Sequence, residues 1–381
     1  MEKFRSILGR LNWLQRYLVE EYVEDYQEGA LTRREALKYL GAVLGSAAAA
    51  TTVLAACAPM PAPTGATTGA TATLAPSAEA AATAAPATAV ATADVSTGAP
   101  TETATAGVSP SPTPEQVRAT ATATVLATTD TTASPTPIPV PAGVNVPPDD
   151  PSLEAQDLTF PGSGLDIVAY MAKPKGQGPF PAILVCHENR GLTDHIKDVT
   201  RRVAKAGYVG LAVDLLSSQG GTAKVSDPAQ IPNILSSTPP DTLAGYFLSA
   251  IQYLQAQPFV NKDQLGMVGF CFGGGMTWLV ATKAPQLKAA VPFYGPNPPL
   301  EAVPNIRAAV LGIYGGEDQR INAGIPAIEE AMQKNGKIFE KVIYPGASHA
   351  FHNDTGRNYN PEAAVDAWKR TLAWFEKYVK G

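Results

Sequence analysis

The chain has 381 residues and a formal net charge of −5, and its basic residues form no long run, which argues against nucleic acid as a partner. Three cysteines, Cys57, Cys186 and Cys271, are too few for a disulfide framework. The chain contains no CxxC or HExxH spacing, so we expect neither a metal site nor a cofactor.

Apolar residues recur at helical spacing near the start of the chain, with charged residues between them. This pattern predicts a short amphipathic helix. The apolar positions are Phe4, Ile7, Leu8, Leu11, Leu14, Leu18 and Tyr22. The pattern assigns this helix no task.

The next segment resembles a bacterial export signal. Residues 32–38 contain an arginine pair followed by Leu and Lys, as in the twin-arginine signal. The weakly apolar residues 39–56 are marginal for a spanning helix but suit the apolar region of a signal. Residues 54–57, Leu-Ala-Ala-Cys, resemble a lipobox, in which Cys57 receives the lipid.

Together these motifs, residues 1–57, imply a lipoprotein at the outer face of the cytoplasmic membrane, either periplasmic or on the cell surface. Its expected partners are the export machinery and, through the lipid, the membrane. The alternative is a single uncleaved membrane anchor. Both interpretations place the remainder of the protein outside the cytoplasmic membrane.

Residues 58–150 are almost entirely Ala, Thr, Pro, Ser, Gly and Val, without one aromatic residue. Such a stretch cannot bury enough apolar surface to offset the entropy of ordering it. It predicts a disordered tether with an r.m.s. reach of roughly 50–60 Å. Residues 151–381 remain for one globular domain, which we expect to be monomeric.

Short apolar runs alternate with helical patterns in this domain. The predicted strands are 157–160, 167–172, 182–187, 209–214, 265–270, 289–294, 309–314 and 339–344. The predicted helices are 196–206, 241–256, 275–283, 323–335 and 361–380. This alternation favours a mostly parallel, doubly wound α/β sheet flanked by helices, with the first two strands forming an antiparallel hairpin at one edge. Side chains at the carboxyl ends of the strands then share one edge, where sites occur in such sheets.

One strand ends in the run 269–273, Gly-Phe-Cys-Phe-Gly, and a helix follows. This is a nucleophile elbow, because a tight turn from strand to helix needs small neighbours and projects the central side chain from the sheet. The nearby helix N-terminus favours a thiolate at Cys271. The alternative is a glycine-rich strand end with an incidental buried cysteine.

An acid and a histidine follow the nucleophile in the order that this arrangement requires. Asp318 lies in a glycine-containing turn after one predicted strand, and His349 lies in the loop after the last strand. Separately, each residue could be ordinary: Asp318 as a helix cap and His349 as a loop residue. Their order and their position after strands favour a triad with Cys271.

The strand 182–187 leads into a loop that normally supplies one oxyanion donor. The expected donors are the backbone N–H groups of Asn189 and Phe272. Glu188 is unusual here, since a carboxylate beside a thiolate opposes its ionisation. Cys186 lies within an apolar strand and is interpreted as a core residue.

These residues resemble the dienelactone hydrolase (carboxymethylenebutenolidase) family over nearly the whole domain. The resemblance rests on the runs 269–274, 213–215, 316–318 and 346–351 and on the acidic loop at Glu188. It implies an α/β-hydrolase fold and the hydrolysis of a small-molecule ester or lactone through an acyl-thioester. It also implies that Cys271, Asp318 and His349 form the triad and that Glu188 holds the resting thiol.

The departures from the family concern the substrate. Dienelactone-specific members hold a substrate carboxylate with two arginines, and those positions are a serine and Asn353 here. Arg190 is a candidate replacement, with an ordinary surface arginine as its alternative. Tyr294 either lines the pocket or packs in the core. Two other functions remain: a non-catalytic binding lipoprotein, and an esterase of this fold acting on other esters, such as acetylated glycans.

Overall fold

The structure is a computed structural model, and it describes residues 7–27, 29, 31–56 and 145–381. The predicted lipid-bearing Cys57, most of the predicted tether and Phe4 lie outside these residues. The described N-terminal residues and the C-terminal domain belong to one compact unit.

The domain is built on one eight-stranded sheet. Its strands are β1 (Leu153–Gly162), β2 (Leu165–Pro174), β3 (Phe180–Cys186), β4 (Val209–Val213), β5 (Val260–Phe270), β6 (Leu287–Phe293), β7 (Ala309–Gly315) and β8 (Phe339–Tyr344). Their order is β1-β2-β4-β3-β5-β6-β7-β8. Each of the eight predicted strands overlaps one of these.

The pairing follows from which strands are buried. The strands β3 to β7 are largely or wholly apolar and buried, and each pairs in parallel with its neighbours among them. The strands β1 and β2 form the predicted antiparallel hairpin, with β1 at the edge. The mostly parallel α/β architecture with flanking helices is therefore confirmed, and the carboxyl ends of β3, β5, β7 and β8 meet at one edge.

The helices of the domain are α4 (Asp194–Lys205), α5 (Ile231–Ser237), α6 (Pro240–Gln255), α7 (Phe272–Ala281), α8 (Gln319–Asn322), α9 (Ile325–Lys334) and α10 (Pro361–Phe375). The predicted helix 323–335 begins at Ile325, because Pro326 occupies its first turn and the short α8 is separate. The predicted helix 361–380 changes to one π-helical turn after Phe375. The short helix α5 has too few residues for a periodic signal, and the sequence does not predict it.

Three further helices precede the domain: α1 (Trp13–Gln27), α2 (Arg33–Leu44) and α3 (Ala47–Ala56). The predicted amphipathic helix corresponds to α1, whose buried positions include Leu14, Tyr17 and Leu18. The apolar residues 39–56 are divided between α2 and α3 at Gly45, which has a φ of 64°. Within the described ranges, no helix has both the length and the apolarity to span a membrane.

The N-terminal helices pack against the domain. Helices α1 and α2 both contact α5, and the ring of Trp13 approaches Gly275 in the first turn of α7. The rings of Tyr22 and Tyr39 stack between α1 and α2 with centroids 5.1 Å apart. These contacts place α1 beside the carboxyl edge of the sheet.

Candidate active site

Cys271 lies in the turn between β5 and α7, with a φ of 57° and a ψ of −119°. Such a backbone is costly for a residue with a side chain and must be imposed by its surroundings. Glycines on both sides explain how the turn closes. A Cβ on Gly269 would lie 2.2 Å from the carbonyl oxygen of Gly273, and a Cβ on Gly273 would lie 2.5 Å from the carbonyl oxygens of Cys186 and His187. The sequence motif is therefore a steric requirement of this turn.

Asp318 and His349 meet at the same edge. Asp318 follows β7, is 1% exposed, and accepts a hydrogen bond from the backbone of Ile321 at 3.1 Å. Its Oδ2 lies 2.6 Å from Nδ1 of His349, which occupies the loop after β8. Burial opposes ionisation of Asp318, but the charge and hydrogen bond of His349 outweigh it and lower its pKa. The carboxylate therefore fixes the orientation of the ring.

The ring of His349 also reaches the thiol, since one of its nitrogens lies within 4.8 Å of Sγ of Cys271. Its Nε2 and this Sγ share the hydroxyl of Tyr17, at 3.5 Å and 3.1 Å. Burial lowers the pKa of His349, but the charges of Glu21 and Asp318 raise it well above its usual value. Burial and the charge of Glu21 raise the pKa of the Cys271 thiol, against the opposing effect of His349. This arrangement favours a neutral thiol beside an imidazolium.

A cavity of about 380 Å³ opens beside the thiol. Five residues selected from the sequence line it: Glu188, Asn189, Arg190, Cys271 and His349. Arg190 is exposed at this cavity.

Glu188 is 7% exposed, and its Oε2 accepts a hydrogen bond from Nδ2 of Asn353 at 2.7 Å. Burial raises the pKa of Glu188, partly offset by nearby cations and by this bond. Asn353 stands where dienelactone-specific relatives are expected to carry an arginine, and here its amide holds the carboxylate.

The remaining two predicted residues lie beneath the cavity. Phe272 is fully buried and is the first residue of α7, so its N–H has no acceptor within the helix. Tyr294 is fully buried and does not line the cavity; its ring packs edge-on against His349 with centroids 5.0 Å apart. The core alternative for Tyr294 is the one that fits this position. Cys186 is also fully buried, as predicted, and neither it nor Cys271 forms a disulfide among the described residues.

Two residues of α1 contact Cys271 and His349. The hydroxyl of Tyr17 lies 3.1 Å from Sγ of Cys271 and 3.5 Å from Nε2 of His349. Oε1 of Glu21 lies 3.6 Å from the same sulfur and 3.3 Å from the same nitrogen. The carboxylate in hydrogen-bonding contact with the thiol is therefore that of Glu21, whereas Glu188 bonds to Asn353.

Arg320 secures this contact from the domain side. Its guanidinium pairs with the carboxylates of Glu21 and Glu24, and it lies 4.8 Å above the centre of the Tyr17 ring. Burial opposes ionisation of Glu21, but His349 and Arg320 outweigh it and lower its pKa. Glu21 is therefore an ionised carboxylate that is paired with the nearly buried Arg320.

The ligand atoms of Glu21, Cys271 and His349 lie within 4.8 Å of one another, and this donor set suits Zn²⁺. The lack of CxxC and HExxH spacing led to the prediction of no metal site. This set has no local spacing to find, because Glu21 is 250 residues from Cys271. The set exists only while α1 is docked on the domain.

The predicted site residues do not include Tyr17, Glu21, Asn353 or Arg320. A signal for two of them was present, since Leu14, Tyr17, Leu18, Glu21 and Tyr22 follow the i, i+3, i+4, i+7, i+8 pattern. A carboxylate on that apolar face needs a buried partner. The partner itself is set by tertiary contacts that periodicity does not encode.

Residues 167–379 match the family model described as "Dienelactone hydrolase family". A relative from Methylorubrum extorquens, provisionally named carboxymethylenebutenolidase, is 39% identical over 249 residues, covering 62% of this chain and 86% of the relative. One from Escherichia coli K12 with the same provisional name is 34% identical over 246 residues, covering 61% and 89%.

A crystal structure from Klebsiella pneumoniae, provisionally named a dienelactone hydrolase, superposes with a TM-score of 0.56 at 33% identity. The match covers 59% of this chain and 99% of that one. The Klebsiella chain therefore consists of the fold of the C-terminal domain alone. The match to the family model spans more than half of the sequence, over the strands that carry Cys271, Asp318 and His349. The chain belongs to the dienelactone hydrolase family.

Proposed function

We propose that the domain is a carboxylic ester or lactone hydrolase whose nucleophile is the thiol of Cys271. The observation that carries the proposal is the sequence of contacts at the sheet edge. Cys271 lies in a strained elbow, a ring nitrogen of His349 is within 4.8 Å of its Sγ, and Nδ1 of His349 is 2.6 Å from Oδ2 of Asp318. This is the geometry of a nucleophile, a base and a residue that orients the base.

The proposed reaction begins from the neutral ring of His349, which is favoured once the charge of Glu21 no longer raises its pKa. His349 then accepts the proton of the thiol and Sγ attacks the ester carbonyl carbon. In this proposal the backbone N–H groups of Asn189 and Phe272 stabilise the oxyanion. The tetrahedral intermediate expels the alkoxide or enolate, which takes the proton from His349, and leaves an acyl-thioester. Water, deprotonated by His349, then releases the acid and restores the thiol.

The nucleophile restricts the class of substrate. A thiolate leaves more readily than an alkoxide or an amide nitrogen, so the intermediate returns to substrate unless the leaving group is stabilised. Enol lactones and activated esters meet this condition. Arg190, which is exposed beside Cys271 and His349, supplies a positive charge for an anionic substrate.

The chain 135–381 is suited to the test, because the related Klebsiella chain consists of this domain. We expect it to hydrolyse p-nitrophenyl acetate and an enol lactone, and Cys271→Ala to reduce kcat at least about 10³-fold, since removing a nucleophile leaves only binding and oxyanion stabilisation. Comparing the hydrolysis of a carboxylate-bearing lactone with that of its methyl ester tests whether Arg190 favours an anionic substrate. Cys186→Ala, which removes a core thiol that does not line the cavity, is the matched control. Equal turnover by Cys271→Ala and the parent would refute the assignment.

We also propose that the protein is exported and lipid-anchored through Cys57. The support is the resemblance to a twin-arginine signal and a lipobox, together with the exposure of Arg33 and Arg34 at the start of α2. Exposed arginines are accessible to an export receptor even while α1 and α2 are docked.

A further inference from the structure

Helix α1 brings a carboxylate of the chain itself to the reacting atoms. Oε1 of Glu21 lies 3.3 Å from Nε2 of His349 and 3.6 Å from Sγ of Cys271, and Oε2 pairs with Arg320. Glu21 is 7% exposed, so this contact is not an incidental surface pair. A carboxylate is also the product of ester hydrolysis, and the side chain of Glu21 occupies the position beside sulfur and imidazole that an acyl group must reach.

The docked helix removes what the proposed reaction needs. Nε2 of His349, the atom that accepts the thiol proton, is engaged by Glu21, and the hydroxyl of Tyr17 lies 3.1 Å from Sγ. Cys271 is 3% exposed. The Tyr17 hydroxyl and the Glu21 carboxylate thus occupy positions next to the sulfur that a substrate carbonyl group would have to take.

The complementary surface on the domain is specific for an acidic helix. Arg320 has a side chain that is 13% exposed, and it pairs with both Glu21 and Glu24. A nearly buried guanidinium without a carboxylate would be strongly unfavourable. Leu14 and Leu18 of α1 are fully buried, so apolar packing holds the helix in the register that places Glu21 in the site.

We propose that Arg320, His349 and Cys271 form a carboxylate-binding subsite, and that Glu21 of α1 fills it as an internal competitive ligand that keeps the enzyme inactive. The inference rests on the proposed function, because inhibition has meaning only for an active thiol. Under the export proposal, hydrolysis of the peptide bond before Cys57 would disconnect α1 from the domain and permit its release.

The test uses the full chain and measures two quantities, the alkylation rate of Cys271 by iodoacetamide and the turnover of p-nitrophenyl acetate. Peptide mass spectrometry separates Cys271 from the other two cysteines. One variant is Glu21→Gln, which removes the negative charge that pairs with Arg320 and His349. The other is Leu18→Asp, which places a charge at a buried position of α1. Circular dichroism confirms that the sheet is intact in each variant.

We expect both rates to rise about tenfold or more in each variant, because breaking a buried ion pair or burying a lone charge strongly disfavours docking. Glu20→Gln is the matched control, since it removes the same charge from the adjacent position and breaks only the exposed pair with Arg16. Its rates should equal those of the parent. If Glu21→Gln reacts no faster than Glu20→Gln, or turns over more slowly than the parent, α1 is not an inhibitor.

A second measurement tests the carboxylate subsite in the Leu18→Asp chain. Benzoate at millimolar concentration should slow alkylation of Cys271 several-fold, whereas the neutral benzamide should not. Equal effects of the two would overturn the subsite. Faster alkylation without any hydrolysis would refute the proposed function and leave the docking inference standing, so the two failures are distinguishable.

Discussion

The proposed nucleophile, Cys271, depends on residues that do no chemistry themselves. The φ of 57° at Cys271 persists because the backbone passes within contact distance of itself on both sides of the turn. Gly273 lies against the end of β3, where even a methyl group would meet the carbonyl oxygens of Cys186 and His187 at 2.5 Å. Backbone atoms cannot rotate away as a flexible side chain can, so the turn must open if this glycine is replaced.

We expect Gly273→Ala to lower the free energy of unfolding by about 1–3 kcal/mol, as overpacking of a close-packed interior does. It should also reduce esterase activity in the chain 135–381, because the elbow and the Phe272 amide shift together. Urea denaturation measures the first effect and p-nitrophenyl acetate hydrolysis the second. The unfolding measurement uses the full chain, and there Gly41→Ala is the control, since a Cβ at Gly41 meets nothing within 4 Å. Unchanged stability of Gly273→Ala would contradict the steric account.

At the scale of elements, the active site is a meeting of strand ends with one helix from outside the sheet. The ends of β5, β7 and β8 supply Cys271, Asp318 and His349, and the loop after β3 supplies Glu188 and Asn189. Helix α1 adds Tyr17 and Glu21 across the reacting atoms. Its docking depends on charges that titrate, and therefore on pH.

Helix α1 should be docked most firmly between mildly acidic and mildly alkaline pH. Glu21 raises the pKa of His349 when α1 is docked. The free energy that this pair contributes to docking is therefore fully present below the pKa that His349 has without α1. It is lost as the pH rises through the higher pKa that His349 has with α1 docked. Docking lowers the pKa of Glu21, so the contribution is also lost as the pH falls through that lowered value. Burial raises the pKa of both Tyr17 and Cys271, and these groups stay protonated across this range.

Amide hydrogen exchange of residues 13–27, corrected for intrinsic rates, measures this profile. Protection should decline at both ends of the pH range in the parent chain. In Glu21→Gln the protection should be weaker, and its dependence on pH should be reduced. Identical profiles in the two chains would show that Glu21 does not govern docking.

At the scale of the whole molecule, the N-terminal segment has two roles under our proposals, as an address and as a ligand of the active site. The arginine pair lies exposed at the start of α2, while Glu21 of α1 is buried and paired with Arg320. The two functions therefore use different surfaces of one segment.

We expect the full chain, expressed in a bacterium with twin-arginine export, to incorporate labelled palmitate. Cys57→Ser should abolish labelling, because the thiol is the acceptor, and Arg33→Lys with Arg34→Lys should keep the protein in the cytoplasm. Exposed Lys38→Arg is the control for a charge-conserving change in the same helix. Labelling that survives Cys57→Ser would refute the lipobox assignment.

Much of the domain follows from local pattern. Continuous apolar runs such as that of β3 can be stable only when both faces are covered, and this requirement specifies a parallel sheet. The glycines around Cys271, and the positions of Asp318 and His349 after strands, then predict that these three residues come together, because strand ends converge. Those inferences needed only periodicity and chain order.

Other features depended on contacts between distant parts of the chain. The hydrogen bond of Asn353 to Glu188 and the packing of Tyr294 beneath His349 join residues whose spacing carries no repeating signal. The placement of Glu21 on Arg320 spans 299 residues. The sequence by itself determined the fold class and predicted that Cys271, Asp318 and His349 meet at one edge of the sheet, because sheet burial and turn sterics are local rules. Only the tertiary structure decided which carboxylate reaches the thiol, because that depends on how an apolar helix face packs against a distant surface.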